Sequence, residues 1–396
     1  MSTPLNSLPS DDGFHMPAEF EPHSGCWMLW PERGDTWRLG AKPAQQAFAA
    51  VAEAISRFES VTMGVSHRQY DNARRRLSDH IRVLEITAND AWMRDVGPTC
   101  VVNRKKGQIR GIDWQFNAWG GLSKKLYFPW DQDDRVAQKV LEVEAMDRYR
   151  APLILEGGAF HVDGEGTLIT TESCLLNANR NPQLTRRQIE NHLKSFLGVQ
   201  HIIWIPEGVY RDETDGHVDN LCCFIKPGVV ALTWTDDSKD PQRKTSEQAL
   251  RILKQSKDAR GRKLVIHKIH QPGPLVMTET ESRGLDYSPE AHPRKPGDRL
   301  AGSYINFYMA NGGIVMPLFD DLHDDAALQT MQKLFPDRAV IGVQTREILL
   351  GGGNIHCITQ QIPAAKGWHP ICSSPSIRRG SIRYLRKTAL FSPPDL

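Results

Sequence analysis

The chain has 396 residues, of which 40% are apolar and 24% charged; this is ordinary globular usage and excludes a disordered, collagen-like or coiled-coil protein. Its 49 basic and 47 acidic residues leave a net charge of +2, too small a surplus to mark a nucleic-acid-binding surface. No window approaches the roughly 18 uninterrupted apolar residues that span a bilayer, and Met1 to Glu21 lacks a charged-then-apolar leader pattern, so neither a membrane role nor secretion is expected.

Helical periodicity is clearest from Ala44 to Phe58, where Phe48, Val51, Ala52 and Ile55 recur at three- and four-residue steps. Weaker helical stretches follow at Tyr70 to His80, Asp134 to Tyr149, Leu184 to Leu197, Ser246 to Lys257 and Asp324 to Phe335. Between them the sequence predicts hairpins: Gly97 to Val102 with Gln108 to Trp114, Leu153 to Val162 with Thr167 to Thr171, His217 to Ile225 with Val229 to Trp234, and Tyr304 to Met309 with Ile314 to Leu318. Asp95, Glu156, His217, Asn306 and Cys357 open the first strand of successive units. The first two intervals are 61 residues each and the next two 89 and 51, which suggests a repeat with insertions, chiefly the Pro- and Gly-rich Gln271 to Arg299. A hairpin with one helix cannot bury its apolar face alone, so five units would close into a ring that gathers these positions; an ordinary open sheet is the competing arrangement.

Asp212-Glu-Thr-Asp-Gly-His-Val-Asp219 is the densest polar cluster. On a strand from His217 to Ile225, His217 and Asp219 would share a face. Gly351-Gly-Gly-Asn-Ile-His-Cys357 lets backbone approach a ligand closely ahead of a thiol, whereas His356 would face away from Cys357 on an extended strand. The seven cysteines have no C-x-x-C spacing, which points to a reducing, cytoplasmic setting and no disulfide framework. Asp95 and Glu156 add carboxylates beside irregular or glycine-rich turns, so with Asp219 three acids would share the pocket and call for a cation. A divalent metal held by His217, Asp219, Glu156 and Cys357 is one answer, although no H-E-x-x-H or paired-cysteine spacing supports it. The other is a guanidinium, planar and permanently charged, with a thiol facing its central carbon.

At these residues the chain resembles the agmatine deiminases, of the guanidine-modifying pentein superfamily and the Porphyromonas-type peptidylarginine deiminase family. The resemblance rests on Gly13 to His23, Trp37 to Pro43, Asn89 to Gly97, Asp113 to Gly121, Phe128 to Asp134, Glu156-Gly-Gly158, Asp212 to Asp219 and Gly351 to Gln361, and covers roughly Asp12 to Pro363. It implies an α/β fold, a pentein five-bladed β/α propeller in one catalytic domain over residues 1–363. It also implies hydrolysis of agmatine to N-carbamoylputrescine and ammonia, within arginine-to-putrescine metabolism, with no metal or organic cofactor and a homo-oligomer, dimer or tetramer, as the assembly. By motif, Cys357 resembles the nucleophile, His217 the general acid and base, and Glu156 the carboxylate paired with histidine and substrate. Asp95 and Asp219 resemble the guanidinium clamp, and Trp92 an aromatic wall. Glu213 or Asp215 would meet the far amine, Asp215 from the strand face of His217. A deiminase of free arginine or peptidyl-arginine is the alternative, as is a pentein that binds without catalysis. Two features depart from the family pattern: Lys124-Lys125 after Gly121, and residues 364–396, which carry six basic residues against Asp395 alone and read as a basic, Ser/Pro-rich extension that need not fold.

Overall fold

The computed structural model describes residues 4–365 and 382–385. Its strands form five separate sheets rather than one open sheet, and all five repeat one pattern. An antiparallel pair comes first; a helix then crosses over and delivers a third strand parallel to the second. Thr99–Asn103 pairs antiparallel with Gln108–Gln115, which runs parallel to Arg148–Ile154 after the helix Val136–Val143. Phe160–Val162, Thr167–Thr171 and His201–Ile205 repeat this around Arg186–Leu197, as do Cys222–Lys226, Val229–Trp234 and Val265–His270 around Gln242–Gln255. Tyr308–Ala310, Gly313–Leu318 and Ala339–Gln344 do so around Asp324–Leu334. The remaining unit joins the two ends of the chain: Thr359–Pro363 pairs antiparallel with His23–Leu29, which reaches Val61–Val65 through Lys42–Ser56.

The local reasons are ordinary. Parallel neighbours need a crossover, and an amphipathic helix supplies one while covering the sheet. Phe48, Val51, Ala52 and Ile55 are fully buried against the strands, as the periodicity required. Thr185 and Gln188 form a reciprocal capping box on Arg186–Leu197, and Gly198 ends that helix at φ 68°. All six sequence-predicted helices form, with shorter ends than expected after Arg76 and Val143. Four buried apolar clusters lie between neighbouring units, so each unit completes the core of the next.

The expected strand starts need correction. The predicted strand from Leu153 to Val162 is interrupted by the short 3-10 turn Gly157–Ala159, and that from His217 begins only at Cys222, after the 3-10 turn Val218–Asn220. Tyr308, not Tyr304, starts its strand, and Thr359 follows a turn that holds Cys357. The aligned positions therefore occupy the turn before each hairpin. Turn geometry, not strand alternation, sets where they point.

In the 364–396 extension, Ile382–Leu385 runs parallel to Ala339–Gln344, while residues 366–381 and 386–396 lie outside the described residues. No helix among the described residues is long and apolar enough to cross a membrane.

Candidate active site

One turn from each of the five units contributes to a single buried cluster. Cys357 is 6% exposed, and Asn306 Nδ2 donates toward its Sγ at 3.3 Å. The Asn306 carbonyl accepts the His356 backbone N–H at 2.9 Å, so one amide fixes both the turn and the sulfur. Asp219 Oδ2 stands 3.5 Å from Sγ. His217 lies between carboxylates, its Nδ1 3.8 Å from Asp95 and its Nε2 3.7 Å from Glu156. Asp95 accepts the Gly158 N–H at 2.9 Å and the Trp119 indole N–H at 2.8 Å. Gly158 is required there, because a Cβ would come within 2.6 Å of His217 Nδ1 and 2.8 Å of Asp219 Oδ2.

The electrostatics follow from burial opposed by pairing. Burial, added to by the negative charges of Asp219 and Glu156 and opposed by His217, pushes Asp95 up to about 6. Burial would raise Glu156 too, but the Arg180 guanidinium, 2.7 Å from Oε1, holds it below the usual carboxylate range. Burial acts likewise on Asp219, where the hydrogen bond and charge of His356 bring it below normal. His217 is raised well above the ordinary imidazole value despite burial, chiefly by Asp95. The Cys357 thiol is pushed well up by burial and by the charges of Asp219 and Asp95, so it is protonated while the site holds no cation. Glu156 Oε2, His217 Nε2 and Asp219 Oδ1 are buried with no hydrogen-bond partner. Orphans of this kind cost about 1–3 kcal/mol each and mark a place where a polar ligand belongs.

The sulfur opens onto a cavity of about 390 Å³ lined by Trp92, Asp90, Trp119, Tyr127, Glu213, Arg294 and the three glycines 351–353. Trp92 packs at 5.0 Å against Trp37, and both indoles donate to Asp90, which fixes the wall. A Cβ on Gly353 would strike the Trp92 ring at 2.6 Å.

Asp95, Glu156, His217, Asp219, Cys357 and Trp92 thus come together as the sequence predicted. Asp215 does not. It sits in a left-handed turn at φ 69° beside Gly216, bound to Arg180, Asn179 and Lys124, and not on a strand face with His217. Lys124, a departure from the family pattern, is therefore spent on this ion pair. Glu213 lines the cavity but is already engaged by Arg294 through both oxygens, at 3.2 and 2.7 Å. Sequence reasoning assigned no role to Arg180, Arg294, Asn306, Trp119 or Glu19; the signals available were the place of Asn306 in the five-unit alignment and the motif stretches that contain Trp119 and Glu19.

Two groupings have the atoms of a metal site, Glu156 with Cys174 and His217, and Glu19 with His161 and His356. An arginine already lies against the carboxylate of each, Arg180 at 2.7 Å and Arg94 at 3.3 Å, and takes up one of its oxygens.

Residues 15–363 match the model of the family described as Porphyromonas-type peptidyl-arginine deiminase. The chain belongs to that family. Within it, the chain is 59% identical over 368 residues to an agmatine deiminase of Pseudomonas aeruginosa, covering 92% of this chain and all of the other. It is 57% identical over 367 residues to an agmatine deiminase of Ectopseudomonas mendocina, with the same coverage. Among solved structures, an agmatine deiminase of Enterococcus faecalis superposes with a TM-score of 0.89 at 48% identity, covering 92% of this chain and 100% of that one.

Proposed function

We propose that this protein hydrolyses agmatine to N-carbamoylputrescine and ammonia through a covalent amidino-cysteine. The observation that carries this reading is the set of two unpaired buried carboxylate oxygens, Glu156 Oε2 and Asp219 Oδ1, near a thiol that lines a cavity with acidic and aromatic residues. A guanidinium fits that set: Asp95 and Asp219 hold its nitrogens, Glu156 pairs with both His217 and the cation, and Trp92 lies beside the flat group. Near-full-length identity to agmatine deiminases supplies the substrate.

Entry of the cation offsets the carboxylate field that keeps the thiol protonated, and Cys357 loses its proton to solvent. The thiolate attacks the guanidinium carbon. The bond from that carbon to a terminal nitrogen breaks as His217, cationic at rest, gives its proton to the departing ammonia. His217 then takes a proton from water, the resulting hydroxide adds to the amidino-thioether carbon, and the carbon–sulfur bond breaks as the added hydroxyl gives its proton to the departing sulfur, leaving the ureido product and the thiol.

The five units are read as blades closed into a ring, supported by the mutual contact of turn residues 95, 156, 217, 306 and 357, one from each unit. A cytoplasmic, homo-oligomeric enzyme is the setting the resemblance implies. Incubation of purified protein with agmatine, free arginine and an arginine peptide, with ureido product and ammonia measured for each, tests the assignment. Turnover of agmatine is expected; turnover of only the other two would overturn it.

A further inference from the structure

His356 is the neighbour of Cys357 in sequence, yet its ring turns away from the sulfur and is buried on both sides. Nδ1 lies 2.9 Å from Asp219 Oδ2, and Nε2 lies 2.9 and 3.0 Å from the two oxygens of Glu19. A neutral imidazole has one N–H and could satisfy only one of these carboxylates. A doubly protonated ring satisfies both, and the opposing effects of burial and of Arg94, whose Nε donates to the His356 carbonyl at 3.2 Å, do not reverse this. The remaining groups facing the relay complete it. His161 Nδ1 accepts the Phe224 N–H at 3.3 Å, which leaves the proton on its Nε2, 3.4 Å from Glu19. Arg94 Nη1 reaches Glu19 at 3.3 Å and Gln361 at 2.7 Å.

We infer that Glu19 and His356 are positioning residues for the deiminase reaction: a fixed imidazolium ties down Asp219 Oδ2 and leaves Oδ1 ionised and free to meet the guanidinium. Neither touches substrate. Glu19 belongs to the segment ahead of the first strand, so the N-terminal arm sets the electrostatics of a carboxylate on the third of the aligned hairpin turns. The inference rests on the clamp role given to Asp219 above.

The test is His356→Asn, whose amide can still donate one hydrogen bond to Asp219 but carries no charge, together with Glu19→Gln. For His356→Asn, kcat/KM on agmatine should fall ten- to a hundredfold, and its acid limb should move to higher pH, because Asp219 without the cation protonates more readily. Glu19→Gln should lose less, and the double variant should match His356→Asn, since Glu19 acts only through the histidine. Inactivation of Cys357 by a small amidine reagent should slow in both, while alkylation by a neutral reagent should not. A uniform loss with an unmoved acid limb, or additive losses, would reduce the pair to structural charges and overturn the proposal. If His356→Asn does not fold, Glu19→Gln, which keeps the shape, decides through its pH profile and amidine selectivity. The reagent comparison needs no agmatine turnover, so wild type failing on agmatine would sink the substrate assignment alone.

Discussion

Arg294 grips both oxygens of Glu213 in the lining of the cavity that holds Cys357, while its Nη2 also donates to the Gly351 carbonyl at 2.6 Å. Among the described residues that line the cavity Arg294 is the one cation, and Glu213 is the acid paired with it. Glu213→Gln should leave the guanidinium unopposed, repel the agmatine ammonium and raise its KM at least tenfold, with kcat changed less than threefold. The ratio of agmatine to arginine kcat/KM should fall, and Arg294→Gln added to it should recover part of the loss. Steady-state kinetics on both substrates check this; an unchanged ratio would remove the pair from substrate selection.

Cys357→Ser should abolish turnover. Protein quenched during turnover should carry the added mass of an amidino group on the peptide containing Cys357, by mass spectrometry. The other five cysteines among the described residues are also buried, and none of them lines this cavity. An adduct on any of them would refute the assigned nucleophile.

Asp95→Asn and Asp219→Asn keep size while removing charge-assisted hydrogen bonds worth roughly 1.5–3 kcal/mol each, so each should lose at least about tenfold in kcat/KM. Inactivation of Cys357 by a small amidine reagent should slow in both and stay unaltered in Glu213→Gln, whose carboxylate is paired with Arg294 and makes no contact with the thiol or His217. Near-wild-type kinetics in either aspartate variant would dismiss the clamp.

Asp95 has its pKa raised to about 6 in the empty site, above its value of about 3.8 when exposed, so it is the acid whose protonation first weakens cation binding as pH falls. Affinity for an unreactive guanidine should be flat above pH 7 and drop about tenfold per unit below pH 6, because each bound cation must then displace a proton. Calorimetric titration across pH 4.5–8 reads this directly. Affinity independent of pH over that range would contradict the assignment.

Gly158→Ala should be far more damaging than a surface glycine change. Its methyl would stand where His217 Nδ1, Asp219 and Asp95 converge, and at least one must give way. Loss of a hundredfold or more in kcat with a thermal midpoint near wild type is expected; unaltered kcat would mean the three groups need not meet.

Much of this site was legible in the chain. The equal spacing of Asp95, Glu156 and His217 reflected a real repeat, because each ends the turn that feeds an equivalent hairpin, and Cys357 stood out through its glycines. The face on which those residues point was not legible. Alternation along a strand gave Asp215 and His217 one side, yet Gly216 at φ 93° and the 3-10 turn after it break the strand pattern before Cys222. The arginines were invisible for a different reason. Arg180 meets Glu156 from beyond the hairpin Phe160–Val162 and Thr167–Thr171, 24 residues on, and Arg294 comes from the Pro- and Gly-rich insertion; neither leaves a periodic trace. His356 was expected to be a poor base for Cys357, and its ring nitrogens are held by Asp219 and Glu19 instead; what the extended-strand reading missed is the turn that puts them there.

The antiparallel pairing of His23–Leu29 with Thr359–Pro363 means that the first-synthesised sheet is completed by nearly the last strand made. Until that segment leaves the ribosome, Cys26, Trp27 and Met28 present a bare apolar edge, an open invitation to another strand. The nucleophile arrives with the same segment, two residues ahead of it, so a chain that stops short of it lacks the residue that would form the amidino adduct. Assembly order thus guards reactivity, and chaperone demand should peak for nascent chains that stop short of residue 359.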